Sequence, residues 1–177
     1  MDRNTQKGFT LIELIITVVI LGILVALAAP SMFEILERRK LKGAAESFQV
    51  DLMFAKTEAI KRNTPVRIQF KFDTVDPSQW CYGIKVNAAC DCLTANSCEV
   101  DGVEKVVNRS DYGNNVLITG NAVGFAGGIV SFTPLRGQTI AGNATFSLAD
   151  GAEIKVSTNI RGRTTICSNS GLGMEGC

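Results

Sequence analysis

Few residues in this chain could do chemistry, and the first fact about them is an absence: 177 residues include no histidine. That removes the usual general base, the triad imidazole and the commonest metal ligand together, and it leaves no serine or cysteine with the partner that would activate it. An enzyme is not expected. Six cysteines remain, Cys81, Cys90, Cys92, Cys98, Cys167 and Cys177. All lie beyond a hydrophobic N-terminal segment, as expected of a region that folds in an oxidising compartment, and they read as disulfides. Cys167 and Cys177 bracket a glycine-rich stretch and are expected to pair. Among Cys81, Cys90, Cys92 and Cys98 three pairings are open, of which Cys81–Cys90 with Cys92–Cys98 is preferred. A four-cysteine zinc site is the sharper alternative, but Cys90-Asp91-Cys92 lacks the spacer of two to four residues usual in zinc sites. Neither a metal nor a cofactor is expected. The run Gly171-Leu172-Gly173-Met174-Glu175-Gly176 has the glycine pattern of dinucleotide sites, yet no helix follows to receive a pyrophosphate.

Charge narrows the partners. Lys and Arg number 18 and Asp and Glu 17, so the formal charge of +1 gives no general reason to expect a nucleic acid or an acidic lipid surface. Any basic site must be local. Two local features stand out. Glu13 is a carboxylate at the lip of an apolar run, and Arg161-Gly162-Arg163 concentrates cations near the C-terminus. With Arg136, if the fold brings it near, these arginines could contact phosphates, giving weak, salt-dependent affinity without base readout. Their bland reading is as solvated or strand-edge cations, and no aromatic stacking partner lies nearby in sequence.

The elements that must position these residues begin with the N-terminal segment. From Leu14 to Ala29 the sequence is apolar except for Thr17, behind a polar leader carrying Arg3 and Lys7. That composition addresses the chain to a membrane. A secretory signal peptide cut after Ala26-Leu27-Ala28 is the competing reading. Against it stands Glu13, because an ionisable group in hydrocarbon costs roughly 3 kcal/mol on insertion scales and ordinarily has a partner. Against it also stands the periodicity beyond Pro30: Leu41, Ala45, Phe48, Leu52, Ala55 and Ala59 alternate spacings of four and three, an amphipathic helical stripe. One long helix from Phe9 to about Lys61 is predicted, with Gly22 and Pro30 as weak points. The basic cluster 37–42 marks its emergence from the membrane or a solvated helix face.

Asn63-Thr64-Pro65 stops the helix, and 66–72 then alternates apolar with polar residues as a half-buried strand does. Further strands are predicted at 80–86, 116–119, 128–133, 144–148 and 153–158, separated by glycine, asparagine and aspartate turns. A helix whose stripe packs on antiparallel sheet makes an α+β domain.

Lys7-Gly8-Phe9-Thr10-Leu11-Ile12-Glu13 resembles, position for position, the cleavage motif of type IV prepilins and type II secretion pseudopilins. The resemblance implies the pilin fold, with residues 1–8 a cleaved leader, 9–33 a transmembrane or filament-core helix, and 34–177 an amphipathic helix with a β-rich periplasmic head. It implies cutting between Gly8 and Phe9 by a prepilin peptidase, methylation of the new Phe9 amino group, and single-pass anchoring in a bacterial inner membrane. It also implies assembly with other pilins and minor pilins on an inner-membrane platform, Glu13 meeting the Phe9 amino group of a neighbouring subunit. A carboxylate and an ammonium desolvated together lose less than either alone. Cleavage would remove Asp2, Arg3 and Lys7, taking 18 basic and 17 acidic side chains to 16 of each.

The junction 54–66 and the C-terminal arrangement of Arg161-Gly162-Arg163 before Cys167 and Cys177 resemble the GspH/FimT branch of minor pilins and pseudopilins. That branch implies a structural role at the start or tip of a pilus, or in type II secretion. Some proteins resembling it bind double-stranded DNA during natural transformation through a Gly-Arg-x-Arg motif. Gly162 and Arg163 match the motif; Thr165 stands where its second arginine would be, and Arg161 lies just before.

Overall fold

The computed structural model describes residues 9–118 and 122–177, with the backbone alone over 28–31. The described chain falls into two compact units that divide between Leu36 and Glu37. Both contribute to helix α1 (Leu11–Arg62), in which the apolar first part and the amphipathic second part follow one another without an intervening loop. In the first unit the large apolar side chains from Leu11 to Leu27 are exposed. Its sequence is long and apolar enough to cross a membrane.

In the second unit the predicted stripe is the core face of α1. Leu41, Ala45, Phe48, Leu52, Ala55 and Ala59 are all fully buried. Alanine at three of these positions lets the sheets approach the helix axis closely, and Phe48 fills the centre. Its ring meets Phe70 at 5.1 Å, Tyr82 at 5.2 Å and Phe146 at 5.8 Å between centroids. These are edge or tilted contacts, the arrangement the ring quadrupoles favour.

Two antiparallel sheets supply the other face of this core. The first has the order β5-β2-β1-β6, from β1 (Val66–Phe72), β2 (Trp80–Val86), β5 (Val106–Asn108) and β6 (Ile129–Phe132). The second has the order β7-β8-β9, from β7 (Gly142–Ser147), β8 (Glu153–Thr158) and β9 (Thr164–Ser168). A short ribbon of β3 (Glu99–Val100) and β4 (Val103–Glu104) completes the described strands. In β1 and β8 burial alternates residue by residue, so Val66, Ile68, Phe70, Ile154 and Val156 point inward while the residues between them face out. The architecture is α+β, as the sequence predicts. Every described residue of the buried core lies in 37–177, so this compact unit carries the whole core itself.

Three expectations differ from the structure. The segment 116–119 forms no described strand: Val116 and Ile118 are buried, but only Leu117 bridges to β7, at Ser147, and residue 119 lies outside the described residues. Strand β9 and the short β3, β4 and β5 have no counterpart in the sequence reading; in β9 one of the inward positions is Ser168, whose hydroxyl donates to the Glu153 carbonyl at 3.0 Å. A polar residue there breaks the alternation that would reveal the strand.

The third concerns the cysteines. Cys167 and Cys177 are bridged. The other bridges are Cys81–Cys92 and Cys90–Cys98, interlaced, in place of the preferred Cys81–Cys90 with Cys92–Cys98. Gly83 accounts for this. A Cβ built on it would lie 2.2 Å from Cys98 Sγ and 3.0 Å from Cys90 Sγ. The bare backbone of β2 therefore seats one bridge, and Cys81, two residues earlier on the same face, is left to Cys92. All four cysteines are buried, Val106 covers them in part, and no thiolate remains for zinc.

Candidate functional site

Two places in the molecule carry the residues singled out by the sequence. The first is the start of α1. Gly8 and the scissile bond lie outside the described residues; Phe9 is exposed. Thr10 is the N-cap, and Glu13, three residues on, turns back to it. Glu13 Oε2 accepts hydrogen bonds from the Thr10 amide at 3.2 Å and the Thr10 hydroxyl at 3.1 Å, while the Glu13 amide donates to Thr10 Oγ1 at 3.3 Å. This is a reciprocal capping box, which satisfies otherwise orphaned donors of the first turn and sets a negative charge at the positive end of the helix. The Thr-x-x-Glu spacing is the sequence signal of this cap, a role for Glu13 beyond the intersubunit one expected from the resemblance. The cap uses Oε2, and among the described residues no hydrogen bond to Oε1 is seen.

The second place is the end of α1 and the loops beside it. Gly162 sits at φ +67°, and a Cβ on it would lie 2.2 Å from the carbonyl oxygen of Gly137. The loops 133–141 and 159–163 therefore touch, backbone to backbone, at two glycines, and the Thr139 amide donates to the Ile160 carbonyl at 3.3 Å. Asn159 organises the second loop: its Oδ1 accepts from the amides of Arg161 and Arg163, both at 3.0 Å. Lys56, from α1, donates to the carbonyls of Arg161 at 3.3 Å and Gly162 at 3.0 Å. Together these contacts present Arg161 and Arg163 to solvent, with exposed Arg136 on the adjoining loop. Among the described residues none of the three guanidiniums has an ion-pair partner.

The structure adds one cation that sequence reasoning missed. Arg163, Thr165 and Lys155 line one open depression of about 480 Å³, with Asn143, Ser157 and Asn159 contributing hydrogen-bonding groups. Ser157 pairs with Thr165 across β8 and β9, and Lys155 stands two residues from Ser157 on the same face. Lys155 thus supplies a charge in the depression that Thr165 also lines. The outward position of Lys155 was legible in the alternation of 153–158, but its neighbour across the sheet was not.

Electrostatics elsewhere in the head serve the fold. Arg62 Nε donates to Glu58 Oε2 at 2.6 Å and its Nη1 to Asp101 Oδ1 at 2.8 Å, tying the end of α1 to the β3–β4 ribbon. These hydrogen bonds hold both carboxyls below their ordinary values. Asp51 is different: burial pushes it up, against the opposing hydrogen bond from the Tyr82 hydroxyl at 2.7 Å. No group of three or more potential metal ligands occurs among the described residues.

With this geometry in place the comparisons with known proteins are decisive. The family described as Type II transport protein GspH matches residues 44–171, most of the chain and nearly all of the head. The chain belongs to the GspH family. The prokaryotic N-terminal methylation motif matches residues 3–29 of this GspH-family protein. A pilin-like protein, PilA1 of Thermus thermophilus, is 40% identical over 65 residues, covering 37% of this chain and 40% of that protein. The chain thus spans less than half the length of that curated relative. Among solved structures the type IV minor pilin FimU of Pseudomonas aeruginosa PAO1 aligns at 17% identity and a TM-score of 0.45, over 71% of this chain and 90% of that one. The protein is a type IV pilin-like member of the GspH family, and its methylation motif and apolar helix fit a membrane anchor.

Proposed function

We propose that this protein is a structural subunit of a type IV pilus, a minor pilin that helps to start or cap the filament. The observation that carries the proposal is the exposure of every large apolar side chain from Leu11 to Leu27. Among the described residues nothing covers that surface, so it needs a lipid or a protein environment. On this reading a prepilin peptidase cuts between Gly8 and Phe9 and methylates Phe9. The helix waits in the inner membrane with the head in the periplasm. An assembly platform then moves it into the filament, where Glu13 meets the Phe9 ammonium of a neighbour.

Deleting the gene separates this from the pseudopilin alternative. Loss of surface pili and twitching with secretion intact is the expected result. Loss of secreted enzymes with normal pili would move the protein to type II secretion and overturn the pilus assignment.

A second reading, DNA binding during natural transformation, is favoured by local clustering of cations: the loop with Arg136 meets the loop with Arg161 and Arg163 at Gly137 and Gly162, and Lys155 and Arg163 line one depression with Thr165. Contacts of this kind would be to phosphates and would weaken steeply with salt. Titrating the 37–177 head with duplex DNA at low and moderate salt, beside Arg161→Gln/Arg163→Gln, is the test. No binding at low salt, or equal binding by the variant, would remove this reading.

A further inference from the structure

The paired loops carry more than arginines. Leu135 is 86% exposed, Ile140 68% and Ile160 65%. All three lie on the two loops joined at Gly137 and Gly162. The exposed Ile60 of α1 borders them, since its Cδ1 would lie 3.1 Å from a Cβ on Gly137. The same loops contain Arg136, Arg161 and Arg163 and no acidic residue, in a chain whose charges otherwise nearly balance. Lys56 is committed to the loop carbonyls, so the loops are braced from α1.

Apolar side chains at loop tips add nothing to phosphate contacts along a nucleic-acid backbone, and neither loop has an aromatic residue on which a base could stack. A charged patch alone would not need them. Three protruding aliphatic side chains, interspersed with three guanidiniums that have no ion-pair partner among the described residues, match instead a surface that is anionic outside and apolar just beneath. At such a surface aliphatic groups enter the headgroup–acyl boundary while cations remain at the phosphates.

From this juxtaposition we propose that the 133–141 and 159–163 loops form a membrane-docking tip, which binds lipid surfaces bearing anionic phosphate headgroups. Leu135, Ile140 and Ile160 insert, and Arg136, Arg161 and Arg163 hold the phosphates. This tip belongs to the head and acts independently of the N-terminal anchor. The inference rests on the two loops and not on the pilus assignment or on DNA binding.

The test uses the 37–177 head, which lacks the anchor and keeps the whole core. It is sedimented with vesicles of phosphatidylglycerol and phosphatidylcholine in equal parts and, separately, with phosphatidylcholine alone, at low salt. The head is expected to bind the anionic vesicles at least about tenfold more strongly than the neutral ones. The triple variant Leu135→Ser/Ile140→Ser/Ile160→Ser is expected to keep the wild-type melting temperature, because these side chains are outside the core, and to lose binding by about tenfold or more. Its affinity for duplex DNA is expected to stay at the wild-type level, whatever that level is, which keeps the lipid and DNA questions apart. Failure of the wild-type head to bind anionic vesicles, or undiminished binding by the serine variant, would overturn the proposal.

Discussion

The carbonyl oxygen of Gly137 occupies the place where a side chain on Gly162 would begin, 2.2 Å from an ideal Cβ. Gly162 also has φ +67°, which L-residues with a Cβ adopt at a cost of roughly 1–2 kcal/mol. Its presence within an arginine motif is therefore explained by the turn, whatever the arginines bind. Gly162→Ala is expected to destabilise the head by at least about 2 kcal/mol, strain and collision together, measured by urea unfolding of 37–177. An unchanged midpoint would show that the two loops do not touch as described.

Phe48 joins α1 to both sheets through its contacts with Phe70, Tyr82 and Phe146. Phe48→Ala should cost about 3–5 kcal/mol, the range for truncating a buried aromatic. Thermal or urea melts of the head give the comparison. Val50→Ala, close by on the same helix but exposed, should change the same melts by less than about 0.5 kcal/mol.

The interlaced disulfides have a direct chemical readout. Cleaving the unreduced head after Lys85 and before Asp91 and Asp101 separates Cys81, Cys90 and the 91–100 peptide. Bridges Cys81–Cys92 and Cys90–Cys98 hold all three in one cluster. The pairing Cys81–Cys90 with Cys92–Cys98 would release 91–100 alone. At the other end, Cys167→Ala/Cys177→Ala should lower stability by about 2–3 kcal/mol, from the lost closure of a short loop.

Much of this fold was legible in sequence because its cues are periodic. The stripe from Leu41 to Ala59 and the alternation of 66–72 each state which face is buried, and the structure buries those faces. What was hidden lies in relationships between distant segments. Nothing in the order of Cys81, Cys90, Cys92 and Cys98 says that Gly83 leaves room for one bridge and displaces the other partner. Strand β9 is masked by inward-facing Ser168. Arg136 could be named as a companion of Arg161 and Arg163 only conditionally, since it lies 25 positions before Arg161 in the chain. Lys155 and Thr165 become neighbours only through the β8–β9 register.

Acid should act on the head in two opposing ways. Asp51 is raised by burial, so its ionised form costs the folded state stability at neutral pH, and protonation relieves that cost. Asp51→Asn keeps an acceptor for the Tyr82 hydroxyl and is expected to be at least as stable as wild type at pH 7. Its advantage should shrink as pH falls through the raised value towards the ordinary 3.8. Asp101 is lowered by Arg62, so its contribution is present above 3.8 and is lost as pH falls further. Asp101→Asn should therefore lose stability at pH 7 and show a flatter decline below about pH 4. Urea midpoints of the three proteins across this range check both signs.

In the proposed assembly Glu13, held by Thr10 in a cap, is the residue that meets the Phe9 amino group of a neighbouring subunit. The most direct measurement expresses full-length wild type and Glu13→Val in the deletion strain and compares cleaved protein in membranes with protein in sheared filaments. Both are predicted to be cut between Gly8 and Phe9 and to reach the membrane in similar amounts, with the valine variant depleted at least about tenfold from the filament fraction, because a desolvated Phe9 ammonium would be left without its carboxylate. Incorporation of Glu13→Val at the wild-type level would contradict the assembly role on which the proposed function depends.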